Sequence, residues 1–330
     1  MSNAVTVREL SKSFRIRRAR SGGLSARLHD LIAPQTEAVS AVDRVSFTIE
    51  KGERVAFIGP NGAGKSTTLK LLSGILYPDE GHADVLGFVP WRERKRLGFH
   101  LGTVFGQRSQ LWYHLPARET FALLARVYEV EPALHRARLQ LLTERFALGA
   151  LLDRPVSQLS LGERMRAEIT ASLLHAPQIL FLDEPTIGLD VAAKAQVRAL
   201  LREQSQQDNA TLILTSHDTG DIESVCQRVI VIHGGRILWD GALTALRQRY
   251  LKTKRVTLLC DRERLTVDLP GVQVLTSANY QTELVIQLDR TTLGAVVDAV
   301  AKGSTLRDLA IEDQPLDDVI RTMYADADRS

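Results

Sequence analysis

The chain has 330 residues, is 44% hydrophobic and 25% charged, and carries a formal net charge of +3. These values are ordinary for a globular protein, and the length allows one large domain with a smaller companion, or two ordinary domains. The longest apolar runs, such as 179–182 and 212–214, are strand-sized and far short of the ~18–20 residues of a membrane span, and the N-terminal stretch lacks the apolar core of a secretory signal, so residence in the cytoplasm is expected. Two cysteines, Cys226 and Cys260, are too few for a disulfide framework or a zinc site and are expected as small core residues.

In chain order, residues 5–10 and 45–49 read as strands. Between them lies a basic insert over 15–38, rich in Arg, Gly and Ser. Residues 11–29 hold Lys12, Arg15, Arg17, Arg18, Arg20 and Arg27 with no acid. Leu24, Leu28, Leu31 and Ile32 would share one face of a short helix there, a pattern suited to anionic lipid or an acidic loop of a membrane partner. Arg54–Ile58 is a short apolar strand that runs into a Gly-rich turn and a helical pattern over 65–73. Three helices are expected over 116–128, 132–146 and 161–174. Ile179–Asp183, 211–216 and Arg228–His233 are apolar runs of the kind buried in a parallel sheet. Past residue 241 the pattern changes. Strands are expected at 256–260, 265–269, 272–275 and 284–288, with helices over 292–300 and 316–324. Residues 261–330 carry thirteen acids against seven bases.

The segment Gly59, Pro60, Asn61, Gly62, Ala63, Gly64, Lys65, Ser66, followed by Thr67, has the spacing of a phosphate-binding loop. It stands between a strand and a helix, where glycines let backbone N–H groups and a helix N-terminus face phosphate. Lys65 is placed to reach the β- and γ-phosphates, and Ser66 to offer a hydroxyl to Mg²⁺. A structural Gly-rich turn is the rival reading, and Lys-Ser in register behind a strand tells against it. The apolar strand Ile179–Asp183 ends in Asp183 and Glu184. Such an ending is expensive unless a cation or a water waits there. Asp183 suits the neighbourhood of Mg²⁺, and Glu184 suits polarising an attacking water.

Leu159, Ser160, Leu161, Gly162 and Glu163 resemble the signature of the ABC transporter ATP-binding family, whose common form has Gly at the position of Leu161 and Gln at that of Glu163. The resemblance covers roughly residues 4–240 and implies an α/β fold, a P-loop NTPase (RecA-like) core with a helical insertion subdomain over about 108–176, making an ABC ATP-binding domain over 1–245. A small α+β accessory domain is expected over 250–330. By the same resemblance, Gln107 looks like the glutamine joining core to insertion and contributing to Mg²⁺, with Gln110 as a competitor. Asp190, behind Gly188, looks like the acid that faces a second monomer. His217 looks like the switch histidine at the γ-phosphate, and Phe14 like the aromatic that stacks on adenine. His82, His100, His114 and His175 read as structural or solvent-facing.

The implied machine uses ATP and Mg²⁺, with Lys65, Gln107, Glu184 and His217 around the γ-phosphate. Ser160 and Gly162 would close over nucleotide held by another copy, in a homodimer or heterodimer. The stretches 105–112, 159–167 and 183–190 resemble ATPase subunits of bacterial drug- and viologen-efflux-type exporters with separate permease chains. Such a subunit sits on the inner face of the cytoplasmic membrane, and no nucleic acid is expected. An importer ATPase with a regulatory tail, and a soluble mechanochemical ATPase, are the rival readings. Gln107 and Ser160 lie only 53 positions apart, which leaves no room for a long coiled-coil insertion.

Overall fold

The computed structural model describes residues 3–17, 36–105, 109–207, 210–250, 253–313, 315–327 and 329. The chain divides into two compact units, Met1–Leu243 and Thr244–Ser330. No helix among the described residues is long and apolar enough to cross a membrane.

In the first unit, strands β1 (Asn3–Arg17) and β2 (Thr36–Glu50) are followed by β3 (Arg54–Ile58), β4 (Glu80–Val85), β5 (Leu101–Phe105), β6 (Ile179–Asp183), β7 (Thr211–Thr215), β8 (Arg228–His233) and β9 (Arg236–Ala242). One sheet has six strands in the order β5-β6-β7-β3-β8-β9. All neighbours in it are parallel except β8 and β9. Its central strands are apolar runs because both faces are covered: Val55, Phe57, Phe181, Ile213 and Ile230 are all fully buried. The loops at the carboxyl ends of β3, β6 and β7 therefore share one edge, the usual place for a ligand in such a sheet.

A second, antiparallel sheet has the order β2-β1-β4. Its ribbon pairs, with register shifts, from Asn3↔Glu50 to Arg17↔Thr36, so both strands are much longer than the sequence pattern implies. Bulges interrupt the apolar alternation of β1, which hides its outer half from a period-two reading. The expected insert at 15–38 is strand at both flanks, and its residues 18–35, including the leucine stripe, lie outside the described residues. Phe47 and Phe57 join the two sheets edge to face, with ring centroids 5.3 Å apart. Burying such a ring stabilises by about 1.5–3 kcal/mol.

The helical insertion holds Ala117–Val127, Pro132–Arg145 and Leu161–Leu173. The Glu131 carboxylate accepts from the N–H groups of Ala133 and Leu134 and so caps the second helix, which begins on Pro132. Cys226 and Cys260 are both free and buried.

The second unit contains β10 (Thr253–Cys260), β11 (Val272–Ala278), β12 (Gln281–Gln287) and β13 (Leu306–Asp313) in an antiparallel sheet of order β11-β12-β10-β13. Helices Leu293–Ala301 and Leu316–Ala327 complete it. Val256, Leu258, Leu284, Ile286, Val296 and Val300 form its core. The strand expected at 265–269 does not form. Leu265, Val267 and Leu269 do reach that core, but the segment runs straight into Pro270 and Gly271, which favour a turn over a ladder. The missing strand is β13, an edge strand whose Arg307, Asp308, Glu312 and Asp313 mask its pattern. Charge of this kind is how edges resist stray pairing.

The His175 ring stacks on Tyr128 with centroids 3.8 Å apart, and burial pushes its pKa down from 6.5 to about 4. Between those values the unfolded chain binds the proton and the folded one does not, so stability falls as pH drops through that window. His175→Phe keeps the stack and removes the proton site. It is expected to flatten the loss of urea midpoint between about pH 7 and pH 4.5. An equal loss in variant and wild type would remove His175 as its source.

Candidate functional site

The turn after β3 is pressed from two sides. A Cβ on Gly59 would lie 2.4 Å from the Ile232 carbonyl oxygen, and one on Gly64 would lie 2.2 Å from that of Ala41. Gly64 also has φ of 108° and stands directly before the helix Lys65–Leu72. Only glycine meets both demands, and the result is a helix N-terminus whose free N–H groups look into a cleft. Lys65 is almost fully buried. Its Nζ donates to the carbonyls of Gly59 (2.7 Å) and Pro60 (3.2 Å). Burial lowers its pKa, while Glu184 and Asp183 pull it back up.

Asp183, at the end of β6, is stitched to the helix behind the phosphate loop and to the end of β7. Its Oδ1 accepts from Ser66 Oγ (2.8 Å) and from Thr215 Oγ1 (2.6 Å). Glu184 follows with φ of 54°, a conformation that costs a side-chain-bearing residue about 1–3 kcal/mol. Its N–H is held by the Thr215 carbonyl (3.0 Å) and hydroxyl (3.1 Å). Its Oε2 lies 2.7 Å from His217 Nδ1. Phe14 and Val39, paired across the ribbon, form the outer wall. The cleft of about 770 Å³ is lined by these two, by Ala41, by residues 59–67 and by Glu184, Ile187 and His217.

Among the described residues no group of three His, Cys, Asp or Glu side chains is placed to hold a metal ion. Mg²⁺ needs no such cage, because it binds through one or two protein oxygens together with substrate phosphates. Ser66 and Asp183, hydrogen-bonded at the mouth of the loop, are hard oxygen donors of that kind.

The structure does not bring every expected residue into the cleft. Ser160, Gly162 and Asp190 are not among its lining residues. Ser160 caps the helix Leu161–Leu173 in a reciprocal box: Glu163 N–H donates to Ser160 Oγ (3.2 Å), and Ser160 N–H to Glu163 Oε2 (2.8 Å). Gly162 is packed so closely that a Cβ would stand 2.9 Å from that of Ala193. Asp190 accepts from Ala193 N–H at 2.8 Å, so the signature turn and the Asp190 loop meet on one helix start. Gln107 lies outside the described residues. Its competitor Gln110 directs its amide nitrogen to the carbonyls of Glu168 (3.0 Å) and Thr103 (3.5 Å).

Sequence reasoning overlooked Ala41 and Ile187 of the lining, and three further residues. Val39 faces Phe14 across the ribbon and was legible only with the ribbon's register. Glu168 is buried in the helix behind the signature and accepts from Ser109 Oγ and Gln110 N–H; burial pushes its carboxyl pKa up. Asp221 is buried at the start of the helix Thr219–Val225. An acid where helical periodicity asks for an apolar residue is the signal that both carried.

A family model described as "ABC transporter" matches residues 42–187. The chain is 34% identical over 210 residues to "ABC transporter ATP-binding protein NatA" of Bacillus subtilis, spanning 64% of this chain and 85% of that protein. It is 30% identical over 291 residues to "Daunorubicin resistance ATP-binding protein DrrA3" of Streptomyces coeruleorubidus, spanning 87% of this chain and 92% of that one. "Sulfate/thiosulfate import ATP-binding protein CysA" of Synechococcus elongatus is 34% identical over 211 residues, 64% of this chain and 61% of its own length. Among solved structures, "Structure of ATP binding subunit of ABC transporter" superposes with a TM-score of 0.60 at 27% identity, over 75% of this chain and 93% of that chain.

The Glu163 carboxylate serves its own helix rather than a phosphate. Glu163→Gln is therefore expected to change the ATP hydrolysis rate less than ~3-fold, under about 0.7 kcal/mol. Ser160→Ala should lower stability by about 1 kcal/mol through loss of the cap. A large gain in ATP affinity for Glu163→Gln, read by nucleotide titration, would show the carboxylate turned toward phosphate instead.

Proposed function

The chain belongs to the family of ABC transporter ATP-binding subunits, ATPases of the P-loop fold, and on that premise we propose that it powers export across the cytoplasmic membrane from the inner face, paired with separate permease chains. The observation that carries the catalytic reading is the convergence of residues 59–67, Glu184 and His217 on one cleft that Ser160 and Gly162 do not reach. Two copies arranged head to tail complete it, each lending Ser160, Gly162 and Asp190 to the other's nucleotide.

In this reading Phe14 and Val39 hold the adenine, and the N–H groups of residues 59–67 wrap the phosphates. Lys65 leaves the carbonyls of Gly59 and Pro60 for the β- and γ-phosphates. Ser66 and Gln107, with Asp183 bonded to Ser66, would hold Mg²⁺, which would supply positive charge to the phosphates. Glu184 orients the water and takes its proton, while His217 positions Glu184 and meets the γ-phosphate. The water oxygen bonds to the γ-phosphorus as the bond to the β-γ bridging oxygen breaks, releasing ADP and phosphate. Positioning and charge stabilisation suffice for such a transfer. The positive-φ backbone at Glu184, doubly held by Thr215, is the feature that fixes the carboxylate's aim.

The reading of export is supported by reach. Similarity to DrrA3 spans 291 residues, so it continues beyond the first unit into Thr244–Ser330. The importer ATPase subunit is the second reading, favoured by the 34% identity to CysA. A groove of about 540 Å³ lined by Arg94, Lys95, Gly98, Phe99, Val127 and Tyr128 offers a basic and aromatic seat for a permease loop. Residues 1–245 are assigned to ATP binding and hydrolysis, and 250–330 to an accessory role.

Glu184→Gln is expected to bind ATP normally, to hydrolyse it at least ~100-fold more slowly and to accumulate as an ATP-bound dimer. Lys65→Ala should weaken nucleotide binding itself. Near-normal turnover by Glu184→Gln would end the assignment of the base. For direction, inside-out vesicles carrying subunit and permease should take up a fluorescent anthracycline when ATP is added outside. ATP-dependent transport of the complex's substrate only in the opposite sense would make it an importer.

A further inference from the structure

The carboxylate of Asp221 is 1% exposed and touches no part of the cleft, yet it joins the two loops that line it. Its Oδ2 accepts from Thr186 Oγ1 and, at 2.7 Å, from Ser216 Oγ. Thr186 stands two residues after Glu184, with Pro185 between them. Ser216 immediately precedes His217. The carboxylate is itself held in place, because Arg198 Nε donates to its Oδ1 at 2.6 Å. Arg198 also pairs with Asp218 at 2.8 Å, and Lys194 with the same acid at 2.6 Å. The guanidinium packs closely against Gly220, where an added Cβ would stand 2.8 Å from it.

From this geometry we infer that Asp221 is a positioning residue for ATP hydrolysis: it sets the separation of Glu184 and His217 by clamping their two loops to one buried carboxylate. Three donors converge on it, so neither loop moves without stripping a charged acceptor of a partner in a buried setting. The helix Val191–Gln207, which supplies Arg198 and Lys194, begins directly after Asp190. The clamp thus connects the catalytic pair to the loop that faces the second copy. The inference rests on the assignment of Glu184 and His217 to the hydrolytic step.

The test uses the full chain and steady-state ATP hydrolysis. Thr186→Val and Ser216→Ala each delete one hydroxyl with little change of shape. Each is expected to lower kcat on the order of 10-fold while KM and the dissociation constant for ATP stay within about 2-fold. Thr186→Ser keeps the hydroxyl and should restore kcat. Asp221→Asn, if it folds, should resemble the hydroxyl deletions. Wild-type kcat in Thr186→Val and Ser216→Ala would overturn the clamp, as would equal loss in Thr186→Ser and Thr186→Val. A parallel loss of kcat, ATP affinity and Tm would overturn it too, by showing a scaffold role only. Glu184→Gln, assayed alongside, separates the cases: if that variant turns over normally, the assignment of Glu184 has failed, and if only the hydroxyl variants do, the clamp alone has failed.

Discussion

A carboxylate at the end of a buried strand governs this molecule. Asp183 closes β6, a strand with Leu180, Phe181 and Leu182 buried behind it, and its charge has no route to bulk water through that side. The two hydroxyls of Ser66 and Thr215 resolve the problem. In doing so they bind the helix start behind the phosphate loop to the end of β7, across the strand order β6-β7-β3. The backbone of Glu184 is then pinned by the same Thr215. Satisfying one half-buried acid aligns the helix start after β3, the end of β7 and the backbone of Glu184.

The second constraint is incompleteness. The Ser160–Glu163 box spends that turn's side chains on its own helix, and Ser160 and Gly162 do not line the chain's own cleft. In the proposed head-to-tail pairing, phosphate loop and signature would each supply half of a site. ATP would then act as a ligand for association, stabilising the pairing that completes its contacts. Charge repulsion between products would weaken the same pairing after hydrolysis.

The legible part of the fold was the part where local physics and global role agree. The apolar strands Ile179–Asp183 and Arg228–His233 match their expected bounds because burial on both faces writes an unbroken apolar run. The phosphate loop was legible because Gly59 and Gly64 are dictated by the carbonyls pressing on them. Strands β4, β5 and β9 were not, since residues such as His82, Gly102 and Asp240 break their patterns. β13 hid behind edge charges. The roles of Glu168 and Asp221 were out of reach for another reason: each acts through partners more than thirty positions away, Ser109 and Thr186, and no local pattern encodes such pairs.

The ribbon has one further consequence. β4 supports β1 only as far as Ser11, so Phe14 and Val39 stand, among the described residues, on two strands alone. A two-stranded ribbon is soft by itself, whereas the phosphate end is gripped by glycines, a helix start and a stitched acid. The subunit therefore has a stiff palm and a pliant thumb. If Phe14 and Val39 hold the base as proposed, it should read the number of phosphates strictly and the identity of the base leniently, so that a purine exchange perturbs it far less than the loss of one phosphoryl group.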